Sequence, residues 1–165
     1  MELLIIRHGL AGDKADWAKA GKDDAERPLT KEGRRKLKQE APGLAEAFGR
    51  AGLLASSRLA RALQTAELLR KALGKPPLTL TEALSPAAPP KAVLAWLSTL
   101  KQEKVTLVGH EPHLSRLIAL LCTGRTAPFT ELKKGQACLL EFAGPVKAGA
   151  AKLRWSLSPG QLRAL

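Results

Sequence analysis

Two of the chain's three histidines close short, largely apolar runs, and chemistry could reside at those two points. The first run, Leu3-Leu4-Ile5-Ile6, ends in Arg7-His8-Gly9; the second, Val105-Thr106-Leu107-Val108, ends in Gly109-His110. Such runs predict strands buried on both faces. In an open α/β sheet, ligands collect where the strands end and the loops diverge, so both imidazoles would lie on that edge. A histidine kept for packing would more often sit within an element. Arg7 puts a guanidinium beside His8 at the end of an apolar strand, where its forked donors suit a phosphate; a buried carboxylate is the alternative partner. Gly9 would let the backbone turn closely past a ligand.

Helical stripes lie between and after these strands. Leu59, Leu63, Ala66 and Leu73 form one, Val93, Trp96, Leu97 and Leu100 a second, and Leu114, Leu117, Ile118 and Leu121 a third, all at three-to-four spacing. Pro90 and Pro112 fall where first-turn prolines are tolerated, and Gly74 and Gly124 fall where a helix would stop. Thr30 is a candidate cap for a helix running through Leu37 and Leu44 to Phe48, which Pro42 is expected to split into two segments. Leu78-Thr79-Leu80 reads as a further strand, and Gln136 to Phe142 with Lys152 to Leu157 read as an edge hairpin. The alternation predicts a three-layer αβα sandwich, a mostly parallel sheet with helices on both faces. Residues 10 to 28 lack periodicity and read as one long surface loop, a length that in compact domains is usually functional or disordered.

The chain's 165 residues suit one domain spanning 1–165 rather than two. No apolar run approaches the ~20 residues of a bilayer span, and the start Met-Glu-Leu-Leu-Ile-Ile lacks the basic segment of a secretion signal. A cytoplasmic location and no membrane partner are therefore expected. Cys122 and Cys138 lack the paired spacing of a zinc site and read as small buried apolar residues. The net charge of +12 implies attraction to anions but leaves open whether the basic surface serves a partner or only solubility.

Four segments in order resemble the histidine phosphatase superfamily, with its phosphoglycerate-mutase-like fold, and within it the short SixA-type phosphohistidine phosphatases. They are Arg7-His8-Gly9, Arg27-Pro28-Leu29-Thr30-Lys31-Glu32-Gly33, Ser57-Arg58-Leu59-Ala60-Arg61-Ala62-Leu63-Gln64-Thr65-Ala66 and Gly109-His110-Glu111-Pro112. Each is weak alone, but their order and spacing are specific and span most of the chain.

The resemblance implies that His8 attacks phosphorus and becomes a phosphohistidine, while Arg7 holds phosphoryl oxygens. It assigns the second guanidinium to Arg61, not Arg58, and makes His110 a donor to the phosphoryl group. Arg27 matches the position before Pro-Leu-Thr and would reach the phosphate from the long loop. Glu82 lies roughly where broader members keep a catalytic glutamate, yet Leu84-Ser85-Pro86 looks more like SixA-type chains, in which that acid is often lacking. An ordinary surface carboxylate is the other reading of Glu82.

The implied chemistry needs no cofactor and no metal, because two guanidiniums and an imidazole supply positive charge around three equatorial oxygens. Nearby cations would keep the His8 nucleophile unprotonated. The expected partner is a phosphorylated protein, such as a histidine-containing phosphotransfer domain, with a small phosphoester or nucleotide as the alternative. A monomer is the simplest expectation.

Rival chemistries have less support. His110 and His113 have an i, i+3 spacing that could suggest metal ligation, but Pro112 would begin the helix and turn His113 into a rim or first-turn side chain. A cysteine phosphatase needs an arginine six residues after its nucleophile; Pro128 and Gly144 stand there instead. Gly144 and Gly149 imitate a nucleotide P-loop but lead into Ala150-Ala151. A basic nucleic-acid-binding module without catalysis draws only on the charge, since aromatic residues make up 4% of the chain and stacking platforms are scarce.

Overall fold

The apolar runs form the middle of one six-stranded sheet. A computed structural model describes residues 1–165. Strands β1 (Glu2–Arg7), β2 (Leu53–Ser56), β3 (Leu78–Leu80) and β4 (Lys104–Gly109) are parallel, and β5 (Ala137–Phe142) and β6 (Ala151–Leu157) form an antiparallel hairpin. The order is β3-β2-β4-β1-β5-β6, with β5 antiparallel to β1. The helices are α1 (Lys14–Lys19), α2 (Lys31–Phe48), α3 (Ala60–Arg70), α4 (Pro90–Leu97), α5 (His113–Thr123) and α6 (Pro159–Leu162).

Strand alternation divides the core in two. Leu3 and Ile5 face α4 and α5, packing with Val93, Leu97, Leu114 and Leu117. Leu4 and Ile6 face the other way, against Leu37, Leu44 and Phe48 of α2, Ala62 and Ala66 of α3, and Leu162 of α6. Both faces of the sheet are thus covered, as the uninterrupted apolar run in β1 requires, and the three-layer αβα arrangement with its edge hairpin is present.

Three local expectations differ from the structure. Pro42 does not divide α2, which runs unbroken for 18 residues. Pro42 and Lys38, whose carbonyl loses its partner, both lie on the exposed side, where water replaces the missing bond. On the opposite side Gly43 is pressed against α6: a Cβ there would lie 1.8 Å from the Leu162 carbonyl oxygen.

Residues 10 to 28 are also more ordered than a loop. They contain α1, capped by Asp13, and a single 3₁₀ turn, Asp24–Glu26, capped by Asp23. The ends of the segment are joined by the Ala11–Leu29 bridge and by Thr30 N–H donating to the Leu10 carbonyl. Finally, the buried stripe of the third helix is Ala62, Ala66 and Leu69, continued by Leu73, while Leu59 and Leu63 are half-buried. The same helix also buries Arg61 and Thr65. Its inner face therefore carries polar residues that an apolar count passes over.

Candidate active site

The register of the sheet brings the two histidines together. Arg7 of β1 lies opposite Gly109 of β4, and His8 N–H donates to the Gly109 carbonyl at 3.0 Å. The next residues on each strand are then neighbours, and the His8 and His110 rings lie 5.0 Å apart, tilted by 52°. Both are buried. They line one open hollow of about 600 Å³, together with Arg7, Arg27, Arg61, Asp24, Glu111 and Lys134 among others.

Each charged group is fixed from a different element. Arg7 Nη1 donates to the Leu132 carbonyl at 2.6 Å, and the Leu132 N–H donates to Glu111 Oε1 at 3.1 Å, so one residue is held through both of its backbone polar groups. The other Glu111 oxygen is taken by Ser115, whose hydroxyl donates to it. Arg61 reaches in from α3 with both terminal nitrogens on Asp24, one to its carbonyl at 2.9 Å and one to its carboxylate at 3.1 Å. Arg27 uses Nε on Asp24 Oδ1 at 2.8 Å and Nη1 on the Gly12 carbonyl at 2.6 Å. The Nε atoms of Arg7 and Arg61 and Nδ1 of His110 are buried and have no partner within the chain.

Hydrogen bonding settles the His8 tautomer. Its Nδ1 lies 2.7 Å from the Gly9 carbonyl, an acceptor only, so Nδ1 carries the hydrogen and Nε2 carries the lone pair. Burial, with smaller contributions from Arg61, Arg7 and Lys134, outweighs the Gly9 bond and lowers the His8 pKa to about 4. Desolvation thus exceeds the effect of the neighbouring cations. Burial, then His8 and Arg61, lowers His110 to about 3. Arg61 is itself lowered, by burial first and then by the charge of Arg27, with Asp24 opposing. For Asp24 burial acts upward, but the Arg27 hydrogen bond and the Arg61 charge hold its carboxyl below the usual range.

One expected residue lies elsewhere. Glu82 is exposed and bound to Arg58, with Oε1 2.5 Å from its Nε, and neither lines the hollow. Gly9 gives its N–H to Thr65 Oγ1 at 3.0 Å. A Cβ on Gly9 would meet Leu37 Cδ1 at 2.7 Å, so packing against α2 favours a glycine here. His113 is buried at 3% exposure rather than at a rim, because the first turn of α5 faces the core. No group of three or more His, Cys, Asp or Glu side chains is placed to ligate a metal.

Several contributors carry no role that the sequence assigns, although Ser57 and Thr65 lie within the third segment of the resemblance. Ser57, just past β2, has Oγ 2.6 Å from His110 Nε2. Its signal was present, since Leu53-Leu54-Ala55 is another apolar run that ends in polar residues. Thr65 receives Gly9 N–H and donates to the Arg61 carbonyl at 2.7 Å, tying α3 to the loop after β1. Gly135, at φ +82, donates its N–H to the Arg7 and His8 carbonyls at 3.1 and 3.3 Å. Asp24 and Lys134 lie in segments without periodicity and gave no signal.

The sequence profile described as the histidine phosphatase superfamily (branch 1) matches residues 3–86, which carry Arg7, His8, Arg27 and Arg61. The chain belongs to the histidine phosphatase superfamily. It is 34% identical to an uncharacterized protein of Picosynechococcus sp. over 157 residues, 93% of this chain and 89% of that one. Among solved structures, this histidine phosphatase superposes on the protein histidine phosphatase SixA complexed with tungstate at a TM-score of 0.83. The identity there is 26%, covering 98% of this chain and 99% of the other. A phosphoserine phosphatase of Entamoeba histolytica in complex with 3-phosphoglyceric acid aligns at a TM-score of 0.68 and 17% identity, covering 98% of each chain, which shows the shared fold alone. Membership of this superfamily makes the chain a phosphatase in general type.

Proposed function

We propose that this phosphatase removes phosphate from histidine on a protein partner, through a covalent phosphohistidine on His8 and without a metal ion. The observation that carries the reading is the locked His8 tautomer. With Nδ1–H held by the Gly9 carbonyl, the Nε2 lone pair is free in a hollow lined by Arg7, Arg27 and Arg61. A tetrahedral oxyanion seated there would satisfy the unpartnered Nε atoms of Arg7 and Arg61. Tungstate, bound in the SixA structure, is an oxyanion of that kind.

In the first step His8 Nε2 attacks phosphorus, the P–N bond to the partner's imidazole breaks, and that imidazole leaves with a proton on its nitrogen. In the second, water attacks phosphorus, the P–Nε2 bond breaks, and inorganic phosphate departs. His110 assists as charge builds on the phosphoryl oxygens. If Ser57 O–H donates to His110 Nε2, a neutral His110 carries its hydrogen on the unpartnered Nδ1 and presents it to the anion.

The carboxylates favour a phosphoramidate over an alkyl ester. An alkoxide leaving group needs a proton in the transition state, whereas a phosphorylated imidazole leaves easily once its nitrogen is protonated. Asp13, Asp24 and Glu111 line the hollow, and each already accepts hydrogen bonds within the chain. Asp24 is moreover held ionised by Arg27 and Arg61. Lys14 and Lys134, both exposed at the hollow, suit an acidic carrier surface. A small phosphoester on the same site is the second reading, favoured by the hollow's volume of about 600 Å³. No helix is long and apolar enough to cross a membrane.

The deciding experiment compares a phosphohistidine protein, an aryl phosphate and a nucleotide as substrates for wild type and His8→Ala, with and without EDTA. Turnover of the first should exceed that of the others, resist chelation and vanish in the variant, and acid-labile label should map to His8. Full activity in His8→Ala, or its loss in EDTA, sinks the mechanism. Preference for the nucleotide or aryl ester shifts the substrate to the second reading.

A further inference from the structure

Asp24 stands in an unusual place for a phosphate site, an acidic group set directly on the arginines that would hold the anion. Its carboxylate spans Arg27 Nε and Arg61 Nη2, and its carbonyl takes Arg61 Nη1. The side chains of Arg27 and Arg61 are only 10% and 6% exposed, whereas that of Asp24 is 39% exposed. The acid therefore lies nearer solvent than the cations it covers. It belongs to a 3₁₀ turn that has holds beyond the two guanidiniums, closed at its end by Arg27 N–H donating to the Asp24 carbonyl. Asp23 caps that turn, and Trp17 Nε1 donates to the Asp23 carbonyl at 2.7 Å. The carboxylate is thus presented by the segment as well as attracted by the guanidiniums.

We propose that Asp24 is a specificity-determining residue of this site, a resident counter-anion that competes with phosphate for Arg61 and Arg27 and so limits retention of the inorganic product. The inference rests on the phosphatase reading above. A phosphoryl group on a protein has its carrier's contacts in addition to the guanidiniums. Free phosphate is held by the groups of the hollow alone, so the repulsion of a fixed negative charge, which acts on both anions alike, is offset by carrier contacts for the substrate and by nothing further for the product. The two contacts from Asp24 to Arg61 also turn both terminal nitrogens toward the loop, which leaves Nε unpartnered for the anion.

Asp24→Asn removes the charge while its amide oxygen can keep the Arg27 Nε contact and the backbone carbonyl keeps Arg61 Nη1, so only the Arg61 Nη2 contact is lost. Inorganic phosphate should bind this variant about fivefold more tightly than wild type, the scale expected for a partly exposed charge. The increase would be read both by calorimetry and as product inhibition of aryl phosphate hydrolysis. A purely structural role predicts the opposite sign, since disturbing Arg61 would weaken phosphate. Asp24→Ser provides a second neutral variant should the amide fail to fold, and tightening is expected there too. Unchanged or weaker phosphate binding in a folded neutral variant, beside an active wild type, overturns the inference alone. A wild type that neither binds phosphate nor hydrolyses any substrate overturns the functional reading with it.

Discussion

Ser57 Oγ lies 2.6 Å from His110 Nε2, with both groups buried, so the second imidazole of the site is held by a hydroxyl delivered from the neighbouring strand. A contact of this kind sets which way the ring faces and which nitrogen carries its hydrogen. Ser57→Ala should therefore lower kcat/KM about tenfold, equivalent to ~1.4 kcal/mol in the barrier. The main change should be in kcat. Urea unfolding should move by only ~1 kcal/mol, the net worth of one hydrogen bond. Steady-state kinetics beside equilibrium unfolding test this, and a large stability loss with unchanged kcat would contradict it.

The acid limb of the pH profile should lie well below the usual histidine range. In the proposed mechanism His8 is the nucleophile and must be unprotonated, and its pKa is lowered to about 4, so kcat/KM should hold as pH falls through 6.5 and decline only near 4. The same shift affects stability with a definite sign. Between about 4 and 6.5 the unfolded chain binds a proton at this histidine and the folded chain does not, so stability from His8 is complete above 6.5 and lost as pH falls toward 4. Glu40 acts in the other direction: burial raises its pKa to about 7, and its contribution is complete below about 4.5 and lost as pH rises through 7. Wild type and Glu40→Gln should accordingly diverge in unfolding midpoint as pH is raised from 5 to 8, with the glutamine variant the more stable at pH 8.

Gly135 connects these two regions. At φ +82 a side chain is strained, and a Cβ would stand 2.8 Å from Glu40 Oε2 while the Gly135 N–H supports the Arg7 and His8 carbonyls. Gly135→Ala should cost ~1–2 kcal/mol of stability and reduce activity as well. Retention of both would show that this turn is softer than its contacts imply.

What could be read from the sequence divides along physical lines. Strands β1 and β4 were visible because burial on both faces leaves an uninterrupted apolar run, and their ends placed Arg7, His8 and His110 on one edge. Strand β2, Leu53–Ser56, escaped although its apolar residues Leu53-Leu54-Ala55 run as the β1 and β4 segments do, because small Ala55 and Ser56 at its end make the run short and weak. Ser57 went with it. Pro42 misled because proline is disruptive only where the lost bond is shielded from water, and here it faces solvent. Glu82 was assigned by its place in the chain, but its carboxylate is claimed by Arg58. Asp24 was invisible for another reason: its meaning lies in two arginines, Arg27 and the distant Arg61, that meet only after folding.

Leu132, held through its carbonyl by Arg7 and through its N–H by Glu111, has a bearing on how this enzyme could be altered. Residues 124–129 before it are exposed, including Phe129 at 52%. Because Leu132 is anchored, that stretch is spare chain, open to lengthening or exchange with the reaction centre left in register. New binding preferences could be grafted there, and the fixed residue would insulate the chemistry from the graft.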